Sequence, residues 1–130
     1  MPKFSLREPN KGDIIRVKVR NDIYHYGIYV CDDEVIEFGE AKDIFKNKDD
    51  VLVKKTSIKE FLNNGFLEVR EYTFLEKIKK NKPDKVISLA RSRIGNSNYD
   101  LLNNNCEHFV NECVFNKHIS FDAKKYSENC

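Results

Sequence analysis

Between residues 106 and 114 the apolar side chains Cys106, Phe109, Val110, Cys113 and Val114 recur at three- and four-residue steps. They share one face of a helix, and that face must be buried against another layer. Asn103-Asn104-Asn105 comes immediately before, so Cys106 stands where a polar run gives way to an amphipathic helix. A thiol at that point sits at the positive end of the helix dipole, beside backbone N–H groups that no helical turn uses. Both effects favour the thiolate, which is the attacking form of cysteine. The sulfur points toward whatever the helix packs against, and a nucleophile so placed needs a base from elsewhere in the chain.

Strand signals fill the first half. Gly12 to Val19, Tyr24 to Cys31 and Val35 to Phe38 are rich in β-branched and aromatic residues and are separated by Asn21-Asp22 and Asp32-Asp33, which fits an antiparallel meander. A charged loop, Glu40 to Asp50, leads to a further strand at Val51 to Thr56. Ser57-Ile58-Lys59-Glu60 has capping-box spacing and predicts a short helix through Leu62, stopped by Gly65. Phe66 to Thr73 is again strand-like. Helices follow: a short one at Leu75 to Lys80, a longer one at Asp84 to Ile94 with Gly95 as its cap, and the helix that opens at Cys106. Strands first and helices later predict an α+β fold with an antiparallel sheet packed against helices. No repeat or linker divides the 130 residues, so a single domain is expected over residues 1–130.

Composition excludes several functions. The net charge is only +2, with acids and bases nearly balanced, which argues against nucleic acid as a partner. Met1 to Asn10 lacks an apolar core, so no signal peptide is expected, and no apolar run approaches the roughly 20 residues that cross a bilayer. The expected location is the cytoplasm. There, scattered Cys31, Cys106, Cys113 and Cys130 do not suggest a disulfide framework. Cys113 and Cys31 read as packing residues and Cys130 as a terminal, exposed thiol. Lys54-Lys55 and Lys77 to Lys82 read as solvated faces or as points of transient contact with anionic lipid.

Three histidines compete for the role of base. His108 lies two residues from Cys106 on the same helix and points elsewhere, which suits a packed or hydrogen-bonded role. His118 falls in a polar segment beyond the helix and is expected to be solvated. His25 sits in a strand among aromatic residues, where it meets the thiol if the sheet faces the Cys106 helix, and it is the favoured base. Glu37 lies about as far after the Asp32-Asp33 turn as His25 lies before it, close to facing it across a hairpin. Glu37 therefore reads either as the group that orients the imidazole or as a solvent-facing strand residue. A zinc set of Cys106, His25, Cys31 and His108 can be written down, but no Cys-x-x-Cys or His-x-x-x-His pair supports it, so no metal is expected.

Asn105-Cys106-Glu107-His108-Phe109-Val110 resembles the signature of lecithin:retinol acyltransferase-like proteins. The approach to it (Ala90, Ile94-Gly95, Tyr99, Leu101-Leu102, Asn104) and the start of the chain (Gly12-Asp13-Ile14-Ile15 and His25-Tyr26-Gly27-Ile28-Tyr29-Val30) also resemble that family. The likeness spans about residues 12–115, leaving 116–130 as a polar C-terminal tail. It implies a circularly permuted papain-like fold related to the NlpC-type cysteine peptidases, in which the histidine strand precedes the cysteine helix. It also implies Cys106 as nucleophile, His25 as base and Glu37 as the polar residue on the next strand, where the best-known acyltransferases of the family carry histidine. No hydrophobic anchor of the kind several animal members have follows the core, so no stable membrane anchor is expected.

The implied chemistry is acyl transfer through a Cys106 thioester on a small-molecule or lipid-like acyl ester, without a cofactor. The Cys106 backbone N–H is one oxyanion donor, and Tyr24 or Tyr26 are candidates for a second. The alternatives are an NlpC-type amidase or peptidase, and a catalytically silent interaction domain with the same fold.

Overall fold

Consecutive buried residues along the first strands build a sheet covered on both faces. A computed structural model describes residues 2–43 and 50–128. Its elements are β1 (Lys3–Ser5), β2 (Ile14–Arg20), β3 (Ile23–Cys31), β4 (Glu34–Phe38), β5 (Val53–Thr56), α1 (Ile58–Leu62), β6 (Glu68–Glu71), α2 (Phe74–Lys79), α3 (Pro83–Ser92), α4 (Cys106–Phe115) and α5 (Phe121–Glu128). The strands form one antiparallel sheet in the order β1-β6-β2-β3-β4-β5. The α+β expectation therefore holds. Part of the predicted charged loop, residues 44–49, and Cys130 lie outside the described residues.

On one face Ile14, Tyr26, Ile28, Ile36 and Phe38 pack with Val86 and Ala90 of α3 and with Cys106, Phe109, Val110, Cys113 and Val114 of α4. The helix face read from the sequence is thus the buried one, against β3. On the other face Ile15, Val17, Val35 and Val69 pack under Phe61 of α1. Gly27 makes that second layer possible. A Cβ there would lie 2.8 Å from Phe61 Cε1, so only glycine lets the ring approach the strand.

Helix starts follow their side-chain caps. Ser57 Oγ accepts from Glu60 N at 3.1 Å and opens α1. Thr73 and Glu76 form a reciprocal capping box that opens α2. The end of α1 is set at Asn63, in the left-handed conformation at φ 45°, and not at Gly65 as predicted.

Two expectations need correction, and one strand was not foreseen. Lys3–Ser5 is a strand, paired with β6. Three residues are too few for a periodic signal. Residues 116–130 are not simply a polar tail: they contain α5, whose entry buries Ser120 and Asp122. Polar seating of that kind escapes a search for apolar periodicity. Cys31 is exposed and not a packing residue, because β3 ends there in an irregularity of its pairing with β4. Among the described residues no helix is long and apolar enough to cross a membrane.

Candidate active site

Asn105 makes the start of α4. Its side-chain oxygen accepts from the backbone N–H of Glu107 (2.9 Å) and of His108 (3.0 Å), while its own N–H donates to His108 Nδ1 (2.9 Å). The asparagine side-chain amide also donates to Leu101 O and Ser120 Oγ. These bonds hold Cys106 at the first helical position, and neither capping bond uses the Cys106 N–H. His108 accepts at Nδ1, so it is a neutral helix-closing residue. Burial first, and then the charge of His118, hold its pKa down at about 4. The packed, hydrogen-bonded reading of His108 is the correct one.

His118 is exposed, as expected of a solvated ring, but it is also fastened. It stacks on His108 at 4.3 Å between centroids, donates from Nε2 to Asn103 O (2.6 Å) and pairs through Nδ1 with Glu112. The Glu112 hydrogen bond raises its pKa. The sequence carried no sign of this, because the contacts join α4 to two separate loops.

His25 and Glu37 meet as expected, but diagonally. The Cα partner of Glu37 is Gly27, and His25 lies two residues beyond that last β3–β4 pair. The side chains span the diagonal: His25 Nε2 is 2.7 Å from Glu37 Oε1. Glu37 is 2% exposed, which removes the reading of it as a solvent-facing residue. The imidazole, 1% exposed, stacks on Phe61 at 5.1 Å between centroids.

Glu37 occupies Nε2, so Nδ1 is the ring nitrogen left for Cys106. Nδ1 is buried and makes no hydrogen bond of full geometry, yet Cys106 acts on the ring strongly. Burial works to lower the His25 pKa. The interactions with Cys106 and then with Glu37 overcome it and raise the value to about 9. Glu37 and Cys106 together favour the charged form of the ring. His25 thus touches one residue from each layer, Phe61 on one side and Cys106 on the other.

The sulfur is closed in. Cys106 is 2% exposed, and the crevice beside it, lined by Tyr24, Tyr26, Tyr99, Leu101, Asp122 and Tyr126, leaves no space for a water molecule. Of the two tyrosines considered as oxyanion donors, Tyr26 is committed to Asp122, donating its hydroxyl to Oδ2 at 2.7 Å. The Tyr24 ring carries the Arg16 guanidinium 3.7 Å from its centroid.

Sequence reasoning missed a buried polar network that ties α5 to this site. Glu107 Oε1 accepts from Ser120 Oγ (2.7 Å) and from Asp122 N (2.9 Å), and Ser120 in turn accepts from Asn105 and from Ala123 N. Burial, and then the charge of Asp122, push the Glu107 pKa up to about 7. Ser120 in N-cap position before Phe121 was the available signal.

The other candidate residues are not brought together for chemistry. Cys113 is buried in the core, and burial pushes its thiol up to about 12, so it is inert. The zinc set is not assembled: Cys31 is exposed and His108 Nδ1 is taken by Asn105. Among the described residues no group of three or more potential ligands is placed to hold a metal.

Replacing Asn105 with alanine removes both cap bonds and strands buried partners on Leu101 and Ser120. The expected loss is about 2 kcal/mol or more in urea unfolding. A loss of only a few tenths of a kcal/mol would show that the cap is dispensable.

The sequence matches the family model for lecithin retinol acyltransferase over residues 7–119. Lecithin retinol acyltransferase of Bos taurus is 28% identical over 139 residues, an alignment covering 92% of this chain and 60% of the relative. The Homo sapiens protein of the same name is 29% identical with the same coverage. Phospholipase A and acyltransferase 1 of Rattus norvegicus is 31% identical over 140 residues, covering 94% of this chain and 79% of the relative. The chain therefore spans about 60% of the length of the lecithin retinol acyltransferases it matches. The matched region contains the histidine strand, the Glu37 strand and the capped cysteine helix, and the chain belongs to the lecithin retinol acyltransferase family.

Proposed function

We propose that this protein is a thiol-dependent acyl hydrolase or acyltransferase acting on lipid-like acyl esters. One observation carries the reading: a buried imidazole is bonded to Glu37 through Nε2, leaves Nδ1 without another hydrogen bond, and is influenced by Cys106, the cysteine at the start of α4. The names of the relatives, an acyltransferase of lecithin and retinol and a phospholipase A/acyltransferase, support lipid esters as the substrate class. The chain order, with the histidine strand before the cysteine helix, supports a circularly permuted papain-like arrangement.

In the proposed cycle the Cys106 sulfur attacks the ester carbonyl, its proton residing on His25 Nδ1. The carbonyl oxygen gains negative charge and is met by the Cys106 backbone N–H at the start of α4. The C–O bond then breaks and His25 gives its proton to the departing alcohol, leaving a thioester on Cys106. Water or an acceptor amine or alcohol loses a proton to His25 as it attacks the thioester, and the thiol is restored. Glu37 keeps the imidazole in orientation and favours its charged form throughout. Because the sulfur is closed in, substrate enters only when side chains around the crevice move, a step that gates turnover.

The test is incubation with a phospholipid panel and, separately, with acyl-peptides, followed by mass spectrometry of the peptide carrying Cys106. An acyl mass added to Cys106 by phospholipids is the expected result. Acylation by acyl-peptides alone would replace this reading with the amidase one. No adduct and no turnover from either panel would favour an interaction domain.

A further inference from the structure

Helix α2 turns its apolar side chains to solvent. Phe74, Leu75 and Ile78 are 76%, 63% and 64% exposed, and positions i, i+1 and i+4 fall on one helical face. Cations surround them: Lys77, Lys79 and Lys82 are exposed, and Lys80 holds its ammonium 5.3 Å from the Tyr72 ring centre. The one acid of α2, Glu76, is turned inward. Its carboxylate takes the Arg70 guanidinium (2.9 and 3.3 Å) and the Thr73 N–H (2.9 Å). The outward surface therefore carries apolar groups and positive charge without a competing carboxylate of its own helix.

A groove lies beside this surface. Leu75 lines a groove of about 260 Å³ with Phe115, Ile119 and Phe121; Lys79, Lys117 and the paired Arg70 and Glu76 also line it. Phe121 opens α5, and the next residue of that helix, Asp122, lines the crevice beside Cys106.

We propose that α2 is a docking surface for an anionic lipid bilayer, with Phe74, Leu75 and Ile78 entering the headgroup region and the surrounding lysines pairing with lipid acidic groups. Charge complementarity selects this occupant. A second copy of the chain, meeting through the same face, would oppose lysine clusters of like sign, and a neutral apolar partner would leave the lysines unanswered. An apolar stripe edged by lysines is the pattern that holds a helix in the plane of a membrane interface, and the anionic leaflet adds attraction for each lysine near it. The surface stands on its own residues, while its meaning for turnover rests on the acyl-ester reading above.

The experiment is co-sedimentation of the full chain with phosphatidylcholine vesicles, with and without phosphatidylserine. Wild type is expected to bind the vesicles containing phosphatidylserine and to be released as salt is raised. K77A/K79A should weaken binding roughly fivefold for each lysine removed. F74S/L75S should abolish binding while circular dichroism and hydrolysis of a water-soluble acyl ester stay unchanged, since these side chains are exposed. Binding of wild type without ester turnover supports the surface and counts against the acyl-ester reading alone. The proposal is overturned if wild type does not bind at any salt concentration or if both variants bind like wild type. Loss of a dimer in F74S/L75S, with no vesicle binding by wild type, also overturns it.

Discussion

Cys106→Ala is expected to abolish the proposed acyl turnover, lowering kcat/KM on the order of 10⁴-fold or more, with the fold intact. The expected size follows from the division of labour at the start of α4. The cap that builds this helix start is made by Asn105 and His108, and the layer beneath it by Phe38 and Phe109, so alanine removes the sulfur and little else. Its packing cost is about 1 kcal/mol or less, the scale of a small buried group. Circular dichroism and urea unfolding should therefore match wild type while ester hydrolysis disappears. Retention of turnover by a folded Cys106→Ala protein would remove the thioester mechanism entirely. His25→Ala is expected to follow the same pattern, with added instability from the void left over Phe61.

Glu37→Gln should separate charge from shape. Glutamine keeps an acceptor for Nε2–H but loses the negative charge that, together with Cys106, raises His25 to about 9 against the burial that lowers it. In the wild type kcat/KM should hold on the alkaline side until about pH 9, where the imidazolium loses the proton destined for the leaving group. In Glu37→Gln that limb moves to lower pH, and the rate at its optimum falls by about 10²-fold or more. Stability should show the same linkage. The folded pKa of His25 lies above its unfolded value, so its contribution is complete below pH 6.5 and is lost as pH rises through about 9. The stability difference between wild type and Glu37→Gln should then shrink across that window, while other titrating groups cancel in the comparison. Coincident alkaline limbs in the two proteins would show that the Glu37 charge does not raise the His25 pKa.

Much of this site was legible before the structure. The cysteine at a helix start, the histidine in a strand and the acid on the following strand could be named because each depends on local periodicity and turn residues. What escaped was contact between parts distant in the chain. The polar segment after residue 115 hides a helix because its seat is made of Ser120, Asp122 and Glu107 rather than apolar side chains. His118 is solvated as expected, but its fastening was not visible because its partners, Asn103 and Glu112, belong to a loop and to a helix whose relative placement only packing decides. The lysines near residue 80 were visible in the sequence. The exposed Phe74, Leu75 and Ile78 beside them were not, since apolar residues in a short helical pattern are expected to be buried.

By itself the chain determined the order of strands and helices, the buried face of α4 and the family to which it belongs. These follow from repeats of two and 3.6 residues and from a motif of contiguous residues, all of them properties of neighbours in sequence. Only the tertiary structure decided that Glu37 pairs diagonally with His25, that Nδ1 is the nitrogen left for the thiol, and that α5 closes over the sulfur. Strand register and the docking of distant helices are set by how whole layers pack, where a shift of one residue turns every side chain to the opposite face, and no local pattern records that choice.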